Sequence, residues 1–558
     1  MLTIDEIRAV PLFAALPETA LELIRKTSAD IQVATGEIVV HEGDTDRALF
    51  AILSGKLEVI KAFDGIQRPL GWRTVGQIFG EIPIAIGLPF FGSYRAAEPT
   101  RLIRIEARQY FAIAAVAPEV SNRVSELARE RIGGMQGISA EVPEPLVTLF
   151  GDRWDPACAE MRKFLSRNQI SFDWVTLDSP DLDRLWQGPR PNKGECPVLR
   201  LKDGTILKRP PEREVAQHLG LQTRPQHAAY DTVIIGGGPA GLAAAVYGAS
   251  EGLRTMCIER EAPGGQAGTS SRIENYLGFP SGVSGDELAS RALRQAQRLG
   301  AEILVTRRVE HIDPKSLAIE LDGGEVIGAR TVILATGVRW RRLGIEGFDG
   351  LLGKGIFFGA ARSEAGAVNG LDVYLIGAGN SAGQAAMHFA NYARKVTLVV
   401  RGDSLEKSMS HYLIEQLRGK SNVEALLHSQ VVAVHGDSHL TAIDIRNDAA
   451  GTTIRHDCGG LFVFIGADAE TEWMPAEIGR DRNGYVLTGD DVVKSGVWSQ
   501  PRDPYLLETS VPGVFACGDV RASKVKRVAA AVGEGSMAIA FVHQYLQYVA
   551  STGSGRAG

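Results

Sequence analysis

The chain has 558 residues, 44% hydrophobic and 23% charged, an ordinary globular composition that argues against extended disorder and suggests several domains of roughly 150 residues each. A formal net charge of -6 offers no basic surface for nucleic acid or anionic membrane, and no run of about 18 uninterrupted apolar residues suggests a membrane span. The opening Met1-Leu-Thr-Ile-Asp-Glu-Ile-Arg8 lacks a basic-then-apolar leader, and five scattered cysteines with no Cys-x-x-Cys form no disulfide framework; both fit a cytoplasmic protein.

Residues 1–135 open with a helical patch and continue as short strands over 36–40, 48–53, 55–60 and 100–105. Gly and Asp turns separate them, which predicts a β-roll. A helical pattern over 120–132 closes the segment, and Gly133-Gly-Met-Gln-Gly137 with Val142-Pro-Glu-Pro145 reads as a linker. Phe79-Gly80-Glu81-Ile-Pro-Ile-Ala-Ile-Gly-Leu-Pro89 resembles the phosphate-binding cassette of cyclic nucleotide-binding domains. The resemblance implies that Gly80 and Glu81 face the ribose of a regulatory ligand and that an arginine after Pro89 pairs with a cyclic phosphate. Phe90-Phe91 stand there instead and offer no fork for a phosphate. Another ligand, or a dimer or regulatory module with these rings in a core or interface, stays open.

Residues 146–220 alternate strand and helix as a small α/β unit. Thr148-Leu-Phe-Gly151, a helix from Ala157 through Leu165, Cys196-Pro197 and Lys202-Asp-Gly204 resemble a glutaredoxin or thioredoxin fold. The resemblance places Asp155-Pro-Ala-Cys158 where such folds keep two cysteines, so an aspartate replaces the attacking thiol. It also aligns Pro197 with the fold's cis-proline, which implies that Cys196 lies close to the helix bearing Cys158. Two readings stay open: a Cys158–Cys196 redox pair, or two small apolar side chains in a degenerate domain kept as spacer or docking surface.

After a Pro- and Gln-containing stretch at 222–227, Asp231-Thr-Val-Ile-Ile-Gly236-Gly-Gly238-Pro-Ala-Gly241 reads as an apolar strand, a glycine turn and an Ala-rich helix. Gly236 permits the turn, Gly238 lets backbone approach a pyrophosphate, and Gly241 lets the helix pack on its strand. Glu259 ends the next strand 18 residues after Gly241, where a carboxylate accepts from ribose hydroxyls. Further along stand Gly264-Gly265-Gln266, Ile273-Glu-Asn275-Tyr-Leu-Gly-Phe279, Ala335-Thr-Gly337 and Gly513-Val-Phe-Ala-Cys-Gly518-Asp519-Val520. In this order they resemble the flavin-binding stretch of low-molecular-weight thioredoxin reductases. The resemblance implies FAD, contacted by Gly265, Gln266, Asn275, Gly518 and Asp519, with Lys526-Arg527-Val528-Ala529 near the isoalloxazine ring. It also implies the fold class: two Rossmann-like α/β domains of thioredoxin reductase type, one for FAD (229–340 and 465–548) and one for NADPH (341–464). These follow the β-roll and the thioredoxin-like unit.

The second fingerprint, Asp372-Val-Tyr-Leu-Ile-Gly377-Ala-Gly379-Asn-Ser-Ala382, carries alanine for the third glycine. The next strand, 395–400, ends without an acidic residue and is followed by Arg401. A carboxylate there would accept from a free 2′-hydroxyl, whereas a cation suits a 2′-phosphate, so NADPH is expected. The family pattern has two adjacent arginines and a third further on; here the second is Gly402, and the third falls at Glu406 or, shifted by one, Lys407. Counting back to the family's redox dithiol reaches Ala360-Ala-Arg-Ser363, where no thiol stands. This matches the thioredoxin-reductase-like ferredoxin or flavodoxin reductases, which lack the dithiol. The expectation is a cytoplasmic homodimeric flavoprotein that takes hydride from NADPH onto FAD. Its electrons would pass to a ferredoxin-, flavodoxin- or thioredoxin-like protein or a small molecule. The rivals are a disulfide reductase using Cys158 and Cys196, and a non-catalytic flavin sensor signalling through the β-roll. No metal site is read.

Overall fold

Short strands with alternating apolar positions build the N-terminal unit, Met1–Glu144. One sheet orders Ala29–Val33, Thr100–Glu106, Ala48–Ser54 and Ile78–Phe79; the other orders Ile38–Val40, Ser93–Ala96, Lys56–Phe63 and Ile66–Thr74. Neighbouring strands are antiparallel throughout. Phe50, Phe79, Phe90 and Tyr94 fill one core cluster of this unit, with ring centroids 4.3 to 6.5 Å apart. The linker expected at 133–137 is instead helical, inside Pro118–Ser139. An interior glycine costs a helix only about 1 kcal/mol, and the buried Val120, Val124 and Ala128 anchor the turns before it. The computed structural model describes residues 2–63, 66–139, 145–180, 182–186, 190–270, 272–280, 282–358, 368–523 and 525–553. Val142-Pro-Glu therefore lies outside the described residues.

The second unit, Pro145–Gly558, begins with a four-stranded sheet ordered Phe172–Thr176, Val147–Gly151, Val198–Leu201 and Ile206–Lys208. The first two strands are parallel and the later pairs antiparallel. The helix Pro156–Arg167 follows the second strand of that order and is capped by Asp155, whose Oδ1 accepts from the Ala157 N–H at 2.7 Å. The Cys196–Pro197 bond is cis. One face of this small sheet packs a core of its own, Phe150, Val175, Leu182, Trp186 and Val198, and the other shares a core with the rest of the unit. Leu149, Phe164 and Leu165 belong to one apolar cluster with Ala240, Ala244, Ile539 and Val542 of the following sheet and helices. On its other side Trp154 stacks on His439, centroids 4.9 Å apart and 12° from parallel.

Two larger parallel sheets follow. Glu302–Leu304, Thr255–Ile258, Ala229–Ile235, Val326–Leu334 and Val514–Ala516 run parallel. Ile356–Phe358, Gly460–Val463, Asp372–Ile376, Lys395–Val399 and Val423–Leu426 form the second. Their central strands, Ala229–Ile235 and Asp372–Ile376 among them, are apolar and mostly buried along their carboxyl halves, as parallel sheets covered on both faces require. Where the chain crosses between the two sheets, Val338–Trp340 pairs with Ala467–Ala469. Each glycine fingerprint follows a central strand at its carboxyl end, where doubly wound sheets bind ligands. Among the described residues no helix is long and apolar enough to cross a membrane.

Candidate functional site

The first fingerprint turn is defined by what its glycines exclude. Gly236 has φ +107°, and a Cβ there would lie 2.4 Å from the Ala335 oxygen. At Gly241 a Cβ would stand 1.8 Å from the Gly236 oxygen, so only glycine lets the helix Pro239–Ser250 sit this close. Gly238 differs: a Cβ would meet nothing nearer than the Gly265 Cα at 3.8 Å. Open space beside helix-terminal N–H groups is a cradle that fits a diphosphate. Glu259 is buried, its Oε2 accepting from the Gly237 N–H at 2.8 Å and its Oε1 from the Glu261 N–H at 2.9 Å. Burial raises its carboxyl pKa, against the pull of these donors and of Arg167.

Gly236, Gly238, Glu259, Gly265, Gln266, Gly518, Asp519, Arg527 and Val528 line one cavity of about 620 Å³. Ala529 stands beside them on the exposed first turn of the helix Val528–Thr552. Asn275 is not brought there. It is exposed, on an irregular bend after the Ile273–Val283 bridge, and outside the cavity lining. Among the lining residues that no sequence motif pointed to is Arg167, and Thr336, inside the Ala335-Thr-Gly337 motif, also lines the cavity. The Thr336 hydroxyl is buried with no hydrogen-bond partner, a group left for a ligand to satisfy. Lys526, also in the lining, donates to the Asp519 and Arg521 carbonyls at 2.7 and 2.6 Å and stands 4.3 Å over the Tyr485 ring. Burial raises the Asp519 carboxyl and lowers the Lys526 amine.

The second fingerprint opens onto the same cavity through Ser381, Gln384 and Ala385, with Phe464 beside them. A Cβ on Gly377 would lie 2.5 Å from the Phe464 oxygen, and one on Gly379 would meet nothing within 4 Å. Ala382 is fully buried, its methyl in a cluster with Val373 and Leu413. Arg401 is exposed and forms no ion pair among the described residues. Lys407 is already tied to Asp403 at 2.7 Å.

All five cysteines are free and buried. The thiols of Cys158 and Cys196 are pushed up to about 12 and about 11, by burial first and by Asp155 next. Both therefore stand as thiols rather than thiolates at neutral pH. Burial also drives Cys257 and Cys517 far above the ordinary thiol range. Ala360-Ala-Arg-Ser363 lies outside the described residues. Among the described residues no group of three or more His, Cys, Asp or Glu side chains could hold a metal ion.

In the N-terminal unit Glu81 is 1% exposed and paired with Arg131 at 2.7 Å. Gly80, φ +87°, could carry no Cβ, which would lie 2.1 Å from the Ala48 oxygen. The carboxylate expected at a ribose is thus met by a guanidinium, and Phe90 belongs to the aromatic core.

An acidic cluster borders the first cavity. Glu212 is pushed up to about 7, by burial first and then by Glu261 and Glu160. A carboxyl raised on folding contributes stability below its unfolded pKa of about 4.5, and that contribution is lost as pH rises through about 7. Glu212→Gln is therefore expected to raise the thermal unfolding midpoint at pH 8, by about 1 kcal/mol in stability, and to leave it nearly unchanged at about pH 4, below the unfolded pKa. A pH-independent shift would remove the carboxylate repulsion from this account.

Residues 230–535 match the family described as pyridine nucleotide-disulphide oxidoreductase, and residues 30–115 match the cyclic nucleotide-binding domain. Thioredoxin reductase from Peptoclostridium acidaminophilum is 32% identical over 325 residues, covering 57% of this chain and 97% of that protein. Thioredoxin reductase from Bacillus subtilis (strain 168) is 31% identical over 329 residues, covering 58% of this chain and 96% of that protein. Among solved structures, Lactococcus lactis thioredoxin reductase in its FR conformation superposes with a TM-score of 0.51 at 26% identity, covering 57% of this chain and 99% of that one.

Proposed function

We propose that this chain, which belongs to the pyridine nucleotide-disulphide oxidoreductase family and is an NADPH- and FAD-dependent oxidoreductase of thioredoxin reductase type, delivers electrons to an external acceptor with no dithiol of its own in between. The acceptor is a ferredoxin-, flavodoxin- or thioredoxin-like protein or a small molecule. One observation carries the reading: Ser381, Gln384 and Ala385 of the second fingerprint helix share a cavity with Gly238, Glu259 and Asp519 of the first site. Two dinucleotides held at these turns meet in one space, and the neighbouring Cys257 and Cys517 are buried as neutral thiols.

In this reading Gly236, Gly238 and Gly241 shape the diphosphate turn and Glu259 faces the adenosine ribose. Gly265, Gln266, Gly518 and Asp519 hold the flavin chain, and Arg527, Val528 and Ala529 border the ring. Asn275 would reach the cofactor only by a movement of its bend. Gly377, Gly379 and Ala382 shape the NADPH turn, and Arg401 takes the 2′-phosphate. When bound, FAD supplies hydride acceptance and electron release. Lys526 fixes the turn carrying Asp519 through its two carbonyl contacts, and Trp340, Phe464 and Trp473 wall the cavity with rings.

The small α/β unit reads as a thioredoxin-like fold that has lost its chemistry. Its parallel-then-antiparallel strand order supports the fold, and Asp155 caps a helix where an attacking thiol would stand. The β-roll reads as a regulatory or dimerisation module of a cytoplasmic homodimer. The test is anaerobic mixing of the yellow protein with NADPH, then with an acceptor panel. Flavin bleaching, followed by acceptor reduction at the wild-type rate in a Cys158→Ser, Cys196→Ser variant, is the expected result. Bleaching without acceptor reduction in that variant would instead route the electrons through the cysteine pair.

A further inference from the structure

Arg167 is the last residue of the helix Pro156–Arg167 in the small α/β unit, yet its guanidinium lies in the cavity lining with Gly238, Glu259 and Gln266. Nη1 donates to Glu261 Oε2 at 3.0 Å, and Nη2 donates to the Ala262 and Gly265 carbonyls at 3.0 and 3.1 Å. Only 12% of the side chain is exposed. The loop it grips rests on the first fingerprint: the Gly264 N–H donates to the Gly237 oxygen at 2.7 Å, and a Cβ on Gly265 would stand 2.9 Å from the Gly238 Cα. Within a planar trans peptide the C=O and N–H point in opposite directions. Holding the Gly265 carbonyl therefore turns the Gln266 N–H away from Arg167, and that N–H has no partner among the described residues.

Charge adds a second argument. Glu259 and Glu261 both border this end of the cavity, and two carboxylates there oppose a dianionic diphosphate. Arg167 is the cation from the small unit that faces both: it pairs with Glu261 and stabilises the charged form of Glu259. Its seat is firm, because the helix that carries it shares an apolar cluster with the fingerprint helix. Arg213, from the same unit, anchors further along by donating to the Thr306 carbonyl at 2.8 Å.

We infer that the small α/β unit is a working part of the FAD site, with Arg167 as a positioning residue that fixes the 262–266 loop and offsets the acidic charge beside the diphosphate. This rests on the FAD reading above, and it gives the redox-silent domain a present task. The test is fluorescence titration of FAD into the full-length apoprotein. Arg167→Met keeps the stem and is expected to weaken FAD roughly 10- to 100-fold, the range for losing charge-assisted hydrogen bonds. Arg167→Lys keeps the charge but not the fork, so it should recover part of that loss. Lys163→Met removes a second cation on Glu261 (3.2 Å), with Arg260 at 3.9 Å left in place, and no loop contact, and is expected to bind FAD as wild type does. Wild-type affinity in Arg167→Met overturns the proposal, as does wild-type affinity in Arg167→Lys should the Met variant not fold. An equal loss in Lys163→Met also overturns it, by assigning the effect to Glu261 pairing alone. Failure of the wild-type apoprotein to bind FAD would instead fell the flavin reading itself.

Discussion

Gly241→Ala is expected to yield a colourless protein that no longer retains FAD. The added Cβ would fall 1.8 Å from the Gly236 oxygen and 3.3 Å from Ile234 Cγ2, so the helix Pro239–Ser250 must retreat from its strand. Overpacking of this kind costs roughly 1–3 kcal/mol or more. Here it also displaces the turn whose N–H groups face the proposed diphosphate. Gly238→Ala is the instructive partner, because its Cβ would meet only the Gly265 Cα at 3.8 Å. That variant should fold and unfold like wild type yet bind FAD weakly, since its methyl enters the space the diphosphate needs. Absorbance at the flavin band and a thermal melt of each apoprotein read the two effects separately. Full flavin in Gly238→Ala would move the cofactor away from this turn.

The contrast explains why so much of this site was legible in the sequence. A close approach that excludes Cβ leaves glycine as its residue, so Gly236, Gly241 and Gly377 announce the turns that the structure contains. Parallel strands buried on both faces likewise announce themselves as apolar runs. Arg167 left no such mark. It donates to carbonyls 95 and 98 residues away, and a backbone acceptor has no signature in sequence. Lys407 matched by spacing, but spacing does not say that Asp403 has already claimed its charge. Asn275 matched by motif, yet its bend stands exposed outside the cavity. The glycines at 133 and 134 spelled a linker because helix propensity is a weak local term, and the anchored turns before them prevailed.

Arg401→Ala is expected to raise the KM for NADPH roughly 10- to 100-fold, the range for one charge-assisted phosphate contact, while the NADH parameters stay unchanged. Arg401 is exposed at the end of the second site's neighbouring strand and has no carboxylate partner among the described residues, so its fork is available to a 2′-phosphate. NADH lacks that phosphate and should not register the loss. The effect belongs in KM rather than kcat, since the 2′-phosphate is remote from the reacting carbon and binds equally in ground and transition states. Lys407→Ala should cost less, because Asp403 at 2.7 Å already neutralises that ammonium and removing it frees a carboxylate at the surface. Equal losses for both nucleotides in Arg401→Ala would mean that Arg401 supports the turn rather than the phosphate. No loss with NADPH would place the selectivity elsewhere, and the absence of an acid at the end of the strand 395–400 would then carry the preference alone, by not repelling the phosphate.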